Sequence, residues 1–270
     1  WGVPVGAKAF NERQRCCLFV GLSDGSRIDV LRRANAGRLS QEQVVPMLNV
    51  DNEKWKGLGK DLRDELGDHA RFQDVYLVDD FTASGTTFIR FPKGEAKGKL
   101  AKFERNVQEA RVALKDEFPV ADGYTLHVHH YVSTAQAHQA LQGRIAEAAE
   151  KLKNKSYGDA TITEGMRLPA ALPIGAIDVE TGNMTAMAPS DEPFLDLCGS
   201  YYDHELFKRL EPHCKEAGQD DMKYGYADCA LPLVLEHNTP NNSIPILWAE
   251  TEGKLGPRMR SLFLRRDRHG

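Results

Sequence analysis

No stretch of this 270-residue chain is apolar for long enough to span a bilayer, and none has the layout of a secretory signal. Basic residues are not in excess. The 35 Lys and Arg stand against 39 Asp and Glu, a formal charge of -4, so no global positive field draws nucleic acid. Cysteine is scarce: Cys16, Cys17, Cys198, Cys214 and Cys229 make an odd number, two are adjacent, and no Cys-x-x-Cys pair exists. That excludes a disulfide framework and a zinc ribbon, and the expectation is reduced thiols in a cytoplasmic protein. The chain opens at Trp1 rather than Met and reads as a trimmed piece, so the missing signal carries little weight. What remains is ordinary globular material, 41% hydrophobic and 27% charged, enough for one large α/β domain or two modest ones.

The most informative stretch is Val75-Tyr76-Leu77-Val78-Asp79-Asp80-Phe81-Thr82-Ala83-Ser84-Gly85-Thr86-Thr87. Four apolar or aromatic residues read as a short buried strand, and two carboxylates follow at its C-terminal end. Six small or hydroxylated residues around Gly85 then form a loop before a helix can begin. Such a loop turns backbone N–H groups and hydroxyls towards one anion, with a helix N-terminus behind them. Carboxylates repel a phosphate, but they suit the hydroxyls of an attached sugar or a Mg²⁺ held against it. A strand, an acidic pair and a phosphate cradle in this order describe a site for a phosphorylated ribose. The competing use of Asp79 and Asp80 as simple caps needs only one of them.

A second loop of this kind lies upstream. Cys16 to Leu22 is a continuous apolar run and predicts a buried strand. It stops at Ser23-Asp24-Gly25-Ser26-Arg27, and a helical pattern follows from Ile28 to about Gly37. Ligands of open α/β sheets sit beyond the carboxyl ends of the strands, so both loops should open onto one crevice. Backbone amides near Gly25 and the Arg27 guanidinium suit a pyrophosphate, although an ordinary turn with Arg27 in solvent fits the same residues. Ser40 and Gln43 have the spacing of a helix-starting capping box. Trp55, Leu58, Leu62 and Leu66 mark an amphipathic helix whose stripe is core. Arg32 and Arg33 suit either a phosphate or a solvated face.

Downstream, Phe88–Phe91 leads to a helix of about sixteen residues marked by Leu100, Phe103, Val107 and Leu114. A strand over Tyr124–Val132 and a helix over Ala135–Lys153 follow. This alternation implies parallel pairing with right-handed crossovers. His127 and His129 share one strand face and His130 the other, too few on a side for a metal set, so packing roles are expected. From Ser156 to Pro193 the chain is irregular, with a hairpin expected from Ala176–Val179 and Met184–Met187. A helical region begins near Asp191. Late in the chain, apolar runs at Leu231–Leu235 and Ile244–Trp248 read as strands flanking an amide-rich loop with Asn238, Asn241 and Asn242. Those amides suit a nucleobase edge or second ligand, or equally an Asx-turn serving its own backbone. The tail (Arg258, Arg260, Arg265, Arg266, Arg268) is locally basic and suits a nucleic acid or a partner.

The Asp79–Thr87 segment resembles the phosphoribosyl-pyrophosphate motif of type I phosphoribosyltransferases. Gly21–Arg27, Val78–Thr87 and His237–Asn242 together resemble the PRTase-CE family of bacterial conflict-system effectors, by order of motifs over about residues 16–250. The resemblance implies an α/β fold of type I phosphoribosyltransferase kind, a mainly parallel sheet with helices on both faces and a smaller cap or hood. It divides the chain into a first core part (1–155), an irregular insertion or cap (156–222), and C-terminal strands completing the core with the basic tail (223–270). It implies antiphage defence, phosphoribosyl pyrophosphate or a nucleotide as ligand, Mg²⁺ at Asp79 and Asp80, and a partner protein or nucleic acid, with a homo-oligomer allowed. The 5-phosphate would lie on Thr82, Ala83, Ser84, Gly85, Thr86 and Thr87, and the leaving pyrophosphate on Ser23, Asp24, Gly25, Ser26 and Arg27. Asp79 and Asp80 would be the catalytic carboxylates. No flexible catalytic loop of familiar kind and no purine or pyrimidine segment is visible. Phosphoribosyl transfer, a sensor without turnover, and a nucleotide or NAD glycohydrolase on the same fold all stay open.

Overall fold

The computed structural model describes residues 4–152, 154–174, 191–263 and 265. Two compact units divide the chain. The first holds residues up to Ser133 and Ala140–Arg167, the second Thr134–Gln139 and the residues from Leu168 on.

The first unit opens with an exposed helix, α1 (Pro4–Arg15), followed by β1 (Cys17–Gly21), α2 (Ile28–Ala34) and β2 (Val44–Val45). It continues through α3 (Asn52–Leu66), β3 (Phe72–Thr82), α4 (Lys99–Leu114), β4 (Val120–Thr134), α5 (Ala135–Lys151) and β5 (Tyr157–Leu168). The strands form one sheet in the order β2-β1-β3-β4-β5. Pairing of β1 with β2 and β3, and of β3 with β4, is parallel. Gly158 lies against Gly123 and Gly165 against Tyr131, so β5 runs the same way. This is the expected α/β sheet. From β1 the chain moves outward to β2, then returns past β1 to β3 and proceeds to the other edge. The direction of winding therefore switches between β1 and β3.

Alternation along the strands decides which helix covers which face. Leu18, Val20, Val75, Leu77, Leu126 and Val128 point to one side, where Trp55, Leu58 and Leu62 of α3, Leu100, Phe103 and Val107 of α4, and Leu141 and Ile145 of α5 bury them. On the opposite side Ile28 of α2 packs on Val44 and Val78, with Phe19, Tyr76 and Tyr131 alongside. Glu104 is buried in the larger core but accepts from Tyr124 Oη at 2.8 Å and Ser156 N at 2.6 Å. It thereby ties α4 to β4 and to the approach to β5.

Several expected elements take a different form. Ser40 and Gln43 do make a capping box, but it closes a single 3₁₀ turn, Gln41–Gln43. Val44 and Val45, β-branched, leave that turn to pair with Phe19 and Val20. The C-terminal runs Leu231–Leu235 and Ile244–Trp248 add no strand to the sheet among the described residues. They make only isolated bridges, Leu231 to Ser243 and Leu235 to Asn238. Pro232, Pro240 and Pro245 remove the donors a ladder needs. The fifth strand comes instead from Tyr157–Leu168, inside the stretch expected to be irregular, where Ala160 and Ile162 pack on the core at alternate positions. The expected hairpin of Ala176–Val179 and Met184–Met187 lies outside the described residues.

The second unit contains α6 (Glu192–Ser200) and α7 (Glu205–Glu216) around a core of Tyr202, Leu206, Phe207, Met222, Tyr226 and Trp248. Irregular backbone is held there by buried amides. Gln219 donates to Gly225 O and Asp228 Oδ1 and accepts from Ala227 N.

Before α4 the chain makes a detour. Arg90 and Lys97 pair back to back, with N–H···O distances of 2.9 and 2.8 Å. The first helical amides then reach back, Lys99 N to Thr87 O at 3.3 Å and Leu100 N to Phe88 O at 3.0 Å. Gly98 permits that return: its φ is +112° and a Cβ would stand 2.5 Å from Phe88 O. Gly98→Ala should therefore cost well over about 1 kcal/mol. Gly57→Ala, inside α3 with nothing within 4 Å of its Cβ, should stabilise by about 0.5–1 kcal/mol. Urea denaturation of both variants checks this, and equal effects would contradict it.

Candidate functional site

β3 is longer than the apolar run alone suggests. It continues through Thr82 because Asp79, Phe81 and Thr82 pair with His130, Val132 and Ser133 of β4. The acidic pair thus lies inside the strand, where successive side chains take opposite faces, and the two carboxylates part. Asp79 joins the larger core face. Asp80 takes the other, close enough to Tyr131 to help raise its pKa.

Asp79 is 3% exposed, and a carboxylate that deep needs partners. Ser23 Oγ donates to its Oδ1 at 2.9 Å. Lys99 Nζ, the first side chain of α4, forms an ion pair with its Oδ2. Opposite in register stands His130, 2% exposed, with no partner for Nδ1. Burial pushes the His130 pKa down to about 4 against the pull of Asp79, so its ring is neutral at pH 7. Half-buried Ser23 and Lys99 and buried Asp79 and His130 form one polar cluster at the carboxyl ends of β1, β3 and β4.

On the other face, Tyr131 Oη donates to Arg27 O at 3.4 Å. Its pKa is pushed up to about 12, first by burial and then by Asp29, Asp80 and Asp79, so the phenol stays protonated. Arg27 itself has φ +52°, a left-handed conformation that costs a residue with a Cβ of order 1 kcal/mol. It lets the 3₁₀ turn Asp24–Ser26 run directly into α2. Gly21 allows the loop to close, since a Cβ there would meet Pro46 O at 2.4 Å and Ser26 Oγ at 2.7 Å. The loop after β1 is therefore tied to strand β3, by the Ser23–Asp79 hydrogen bond and by Leu22 N to Val78 O at 2.8 Å, a few residues before the loop that follows β3.

The cradle itself is compact. Thr82, Ala83 and Ser84 are buried, while Thr86 is half-buried and Thr87 exposed. Ser84 and Thr86 share a hydroxyl–hydroxyl bond of 2.8 Å, and Gly85 turns with φ +65°. Arg144 of α5 donates to Gly85 O at 2.8 Å and holds the loop from outside. Sequence reasoning missed Lys99 and Arg144. Neither belongs to a local motif, and each arrives only when its helix packs on the sheet.

The amides of the late loop belong to the second unit. Asn242 Nδ2 donates to Tyr226 O at 2.9 Å and Cys229 Sγ at 3.4 Å, and Asn241 O accepts from Tyr226 N at 2.7 Å. Asn238 exchanges backbone bonds with Leu235. Of the three, the Asn242 side chain is thus engaged within its own unit, while Asn238 and Asn241 make these bonds through the main chain. Arg265 likewise donates to Thr239 O and stacks over Trp248 at 4.5 Å. On α2, Arg33 pairs with Asp29 at 2.8 Å on an exposed face.

Among the described residues no group of three or more His, Cys, Asp or Glu is placed to hold a metal ion. The donor set near the cradle is one carboxylate already neutralised and one half-buried, Asp80. That suits a hydrated Mg²⁺ arriving on a phosphorylated ligand, which needs only one or two carboxylates from the protein.

A family model described as PRTase-CE matches residues 5–265, nearly the whole chain. No curated protein and no solved structure matches it.

Removing one partner of a buried ion pair strands the other. Lys99→Met should destabilise by about 3 kcal/mol, and Asp79→Asn in the same chain should recover much of that loss, a coupling above about 1 kcal/mol in a double-mutant cycle. Additive effects would show that the pair is not coupled. A histidine with a lowered folded pKa contributes stability that is complete above about pH 6.5 and lost as pH falls towards 4. His130→Gln should remove about 3 kcal/mol of that acid sensitivity, read by urea titrations across the window. An unchanged pH slope would contradict the buried, neutral ring.

Proposed function

The chain belongs to the PRTase-CE family, and from that premise we propose that it binds phosphoribosyl pyrophosphate with Mg²⁺ and transfers the phosphoribosyl group to an acceptor, as an effector of antiphage defence. The carrying observation is topological. The winding of the sheet switches between β1 and β3, the position where open α/β sheets form their ligand crevice, and both phosphate-type loops leave the strands there, the first tied to β3 through Ser23 and Asp79.

In this reading the Thr82–Thr87 cradle takes the 5-phosphate through backbone and hydroxyl donors. Asp80 meets the ribose hydroxyls, and the Ser23–Arg27 turn takes the pyrophosphate. Asp79 positions rather than binds: its charge is spent on Lys99, and its role is to lock the first loop to β3. Mg²⁺, carried by the ligand and held by Asp80, would neutralise charge on the departing pyrophosphate. Displacement at the anomeric carbon builds positive charge on the sugar, and Asp80 stabilises it electrostatically. Positioning does the rest, with no covalent nucleophile required.

One observation favours a second reading, a sensor that binds the same ligand without turnover. With Asp79 neutralised by Lys99, only one carboxylate remains to stabilise the developing charge. Titration calorimetry with phosphoribosyl pyrophosphate and Mg²⁺, paired with a pyrophosphate-release assay, separates the two. Binding with release supports the transferase; binding without release supports the sensor. Release of the free base from NAD or a nucleotide, with water as the acceptor, would mark a glycohydrolase. Asp80→Asn should weaken binding about 10- to 100-fold, the scale of one lost charge-assisted hydrogen-bond set. Unchanged affinity would remove Asp80 from the site.

A further inference from the structure

The detour between the cradle and α4 encloses a cavity of about 310 Å³ whose lining is strongly cationic: Arg90, Lys97, Lys99, Lys102 and Arg105, with Thr87 at its edge and no carboxylate. Lys102 and Arg105 are exposed and follow Gly98 at the spacing of one helix face, so they point the same way from α4. Neither has an ion-pair partner among the described residues. Lys97 has only a weak surface contact with Glu95 at 4.0 Å. The placement runs against helix electrostatics. The first turn of α4 carries no acidic residue and no side-chain cap, and three cations crowd its positive end. Asp79 offsets only Lys99, and a bound anion would relieve the repulsion among Lys97, Lys102 and Arg105.

We propose that this pocket binds the phosphate groups of a second ligand, so that the acceptor meeting the ribose is itself phosphorylated: a nucleoside polyphosphate rather than a free base. The acceptor part rests on the phosphoribosyl reading above. The pocket shares Thr87 with the proposed 5-phosphate cradle, so a ligand held there lies next to that cradle. With Lys99 already paired to Asp79, Lys97, Lys102 and Arg105 are the exposed cations of this lining, and in the reading above the phosphates of phosphoribosyl pyrophosphate have loops of their own. A volume of about 310 Å³ lies at the small end of ligand sites, room for a phosphate chain with its nucleoside projecting outward.

The test uses inorganic tripolyphosphate as probe, titrated by calorimetry into the wild-type chain and into Lys102→Ala/Arg105→Ala. Both side chains are exposed on a helix, so the variant should fold, and circular dichroism confirms it. Binding should weaken at least about tenfold in the variant and show a shallower salt dependence, while affinity for phosphoribosyl pyrophosphate with Mg²⁺ stays within twofold. Equal tripolyphosphate affinity in both proteins would overturn the pocket. A parallel loss of phosphoribosyl pyrophosphate binding would also overturn it, by making these residues part of the first ligand's site. Asp80→Asn should do the reverse, weakening phosphoribosyl pyrophosphate and sparing tripolyphosphate. If wild-type protein binds tripolyphosphate through Lys102 and Arg105 but never phosphoribosyl pyrophosphate, the anion pocket stands and the phosphoribosyl reading falls. Displacement of the probe by a nucleoside triphosphate supports a nucleotide acceptor. Displacement only by a 5′-phosphorylated oligonucleotide keeps the phosphate chemistry and moves its source to a nucleic-acid end. Displacement by neither overturns the phosphorylated acceptor.

Discussion

The architecture at the end of the sheet depends on one buried carboxylate. Asp79 sits at 3% exposure where water cannot solvate its charge, so the fold has to bring it a cation and a donor. Lys99 and Ser23 supply them from opposite directions along the chain. The first comes from a helix twenty residues later, the second from a loop far earlier. Satisfying one side chain therefore joins β1, β3 and α4 at the point where the sheet changes its direction of winding. A buried ion pair adds little net stability, but it punishes every arrangement in which a partner is missing. Its contribution here is to select one geometry for the loop after β1 and the start of α4 against β3.

The same site shows what an extended strand does to a pair of acidic residues. Adjacent in sequence, Asp79 and Asp80 face opposite sides and enter different company, an ammonium and a neutral imidazole on one side, a phenol and the α2 face on the other. A pair that looks like a single functional unit becomes a structural anchor and a half-buried carboxylate on the opposite face. Positive charge is divided in a similar way. The chain is acidic as a whole, yet five cations line one cavity at the start of α4. Net charge averages over that concentration and conceals it.

Strand β1, helix α3 with its Trp55, Leu58 and Leu62 stripe, and helices α4 and α5 were legible because apolar periodicity dictates them. The C-terminal runs were misleading for a related reason. Apolar stretches around Leu231 and Ile244 look like strands by composition, but prolines strip the donors that would let them join a sheet. Asn242 was ambiguous, since an amide offers the same donors to a ligand and to its own backbone, and here Tyr226 O and Cys229 Sγ take them.

The sequence by itself determined the α/β class, the order of the two small-residue loops at the strand ends and the residue types each carries, because these follow from local pattern. Only the tertiary structure decided that Lys99 neutralises Asp79, that Arg144 braces Gly85, that Asp80 faces away from its neighbour, and that Arg90, Lys97, Lys102 and Arg105 share one pocket. The physical reason is the same in each case. A side chain's partner is set by the packing of elements distant in sequence and by the alternation of a strand whose length depends on its neighbour, and no local window of residues contains either.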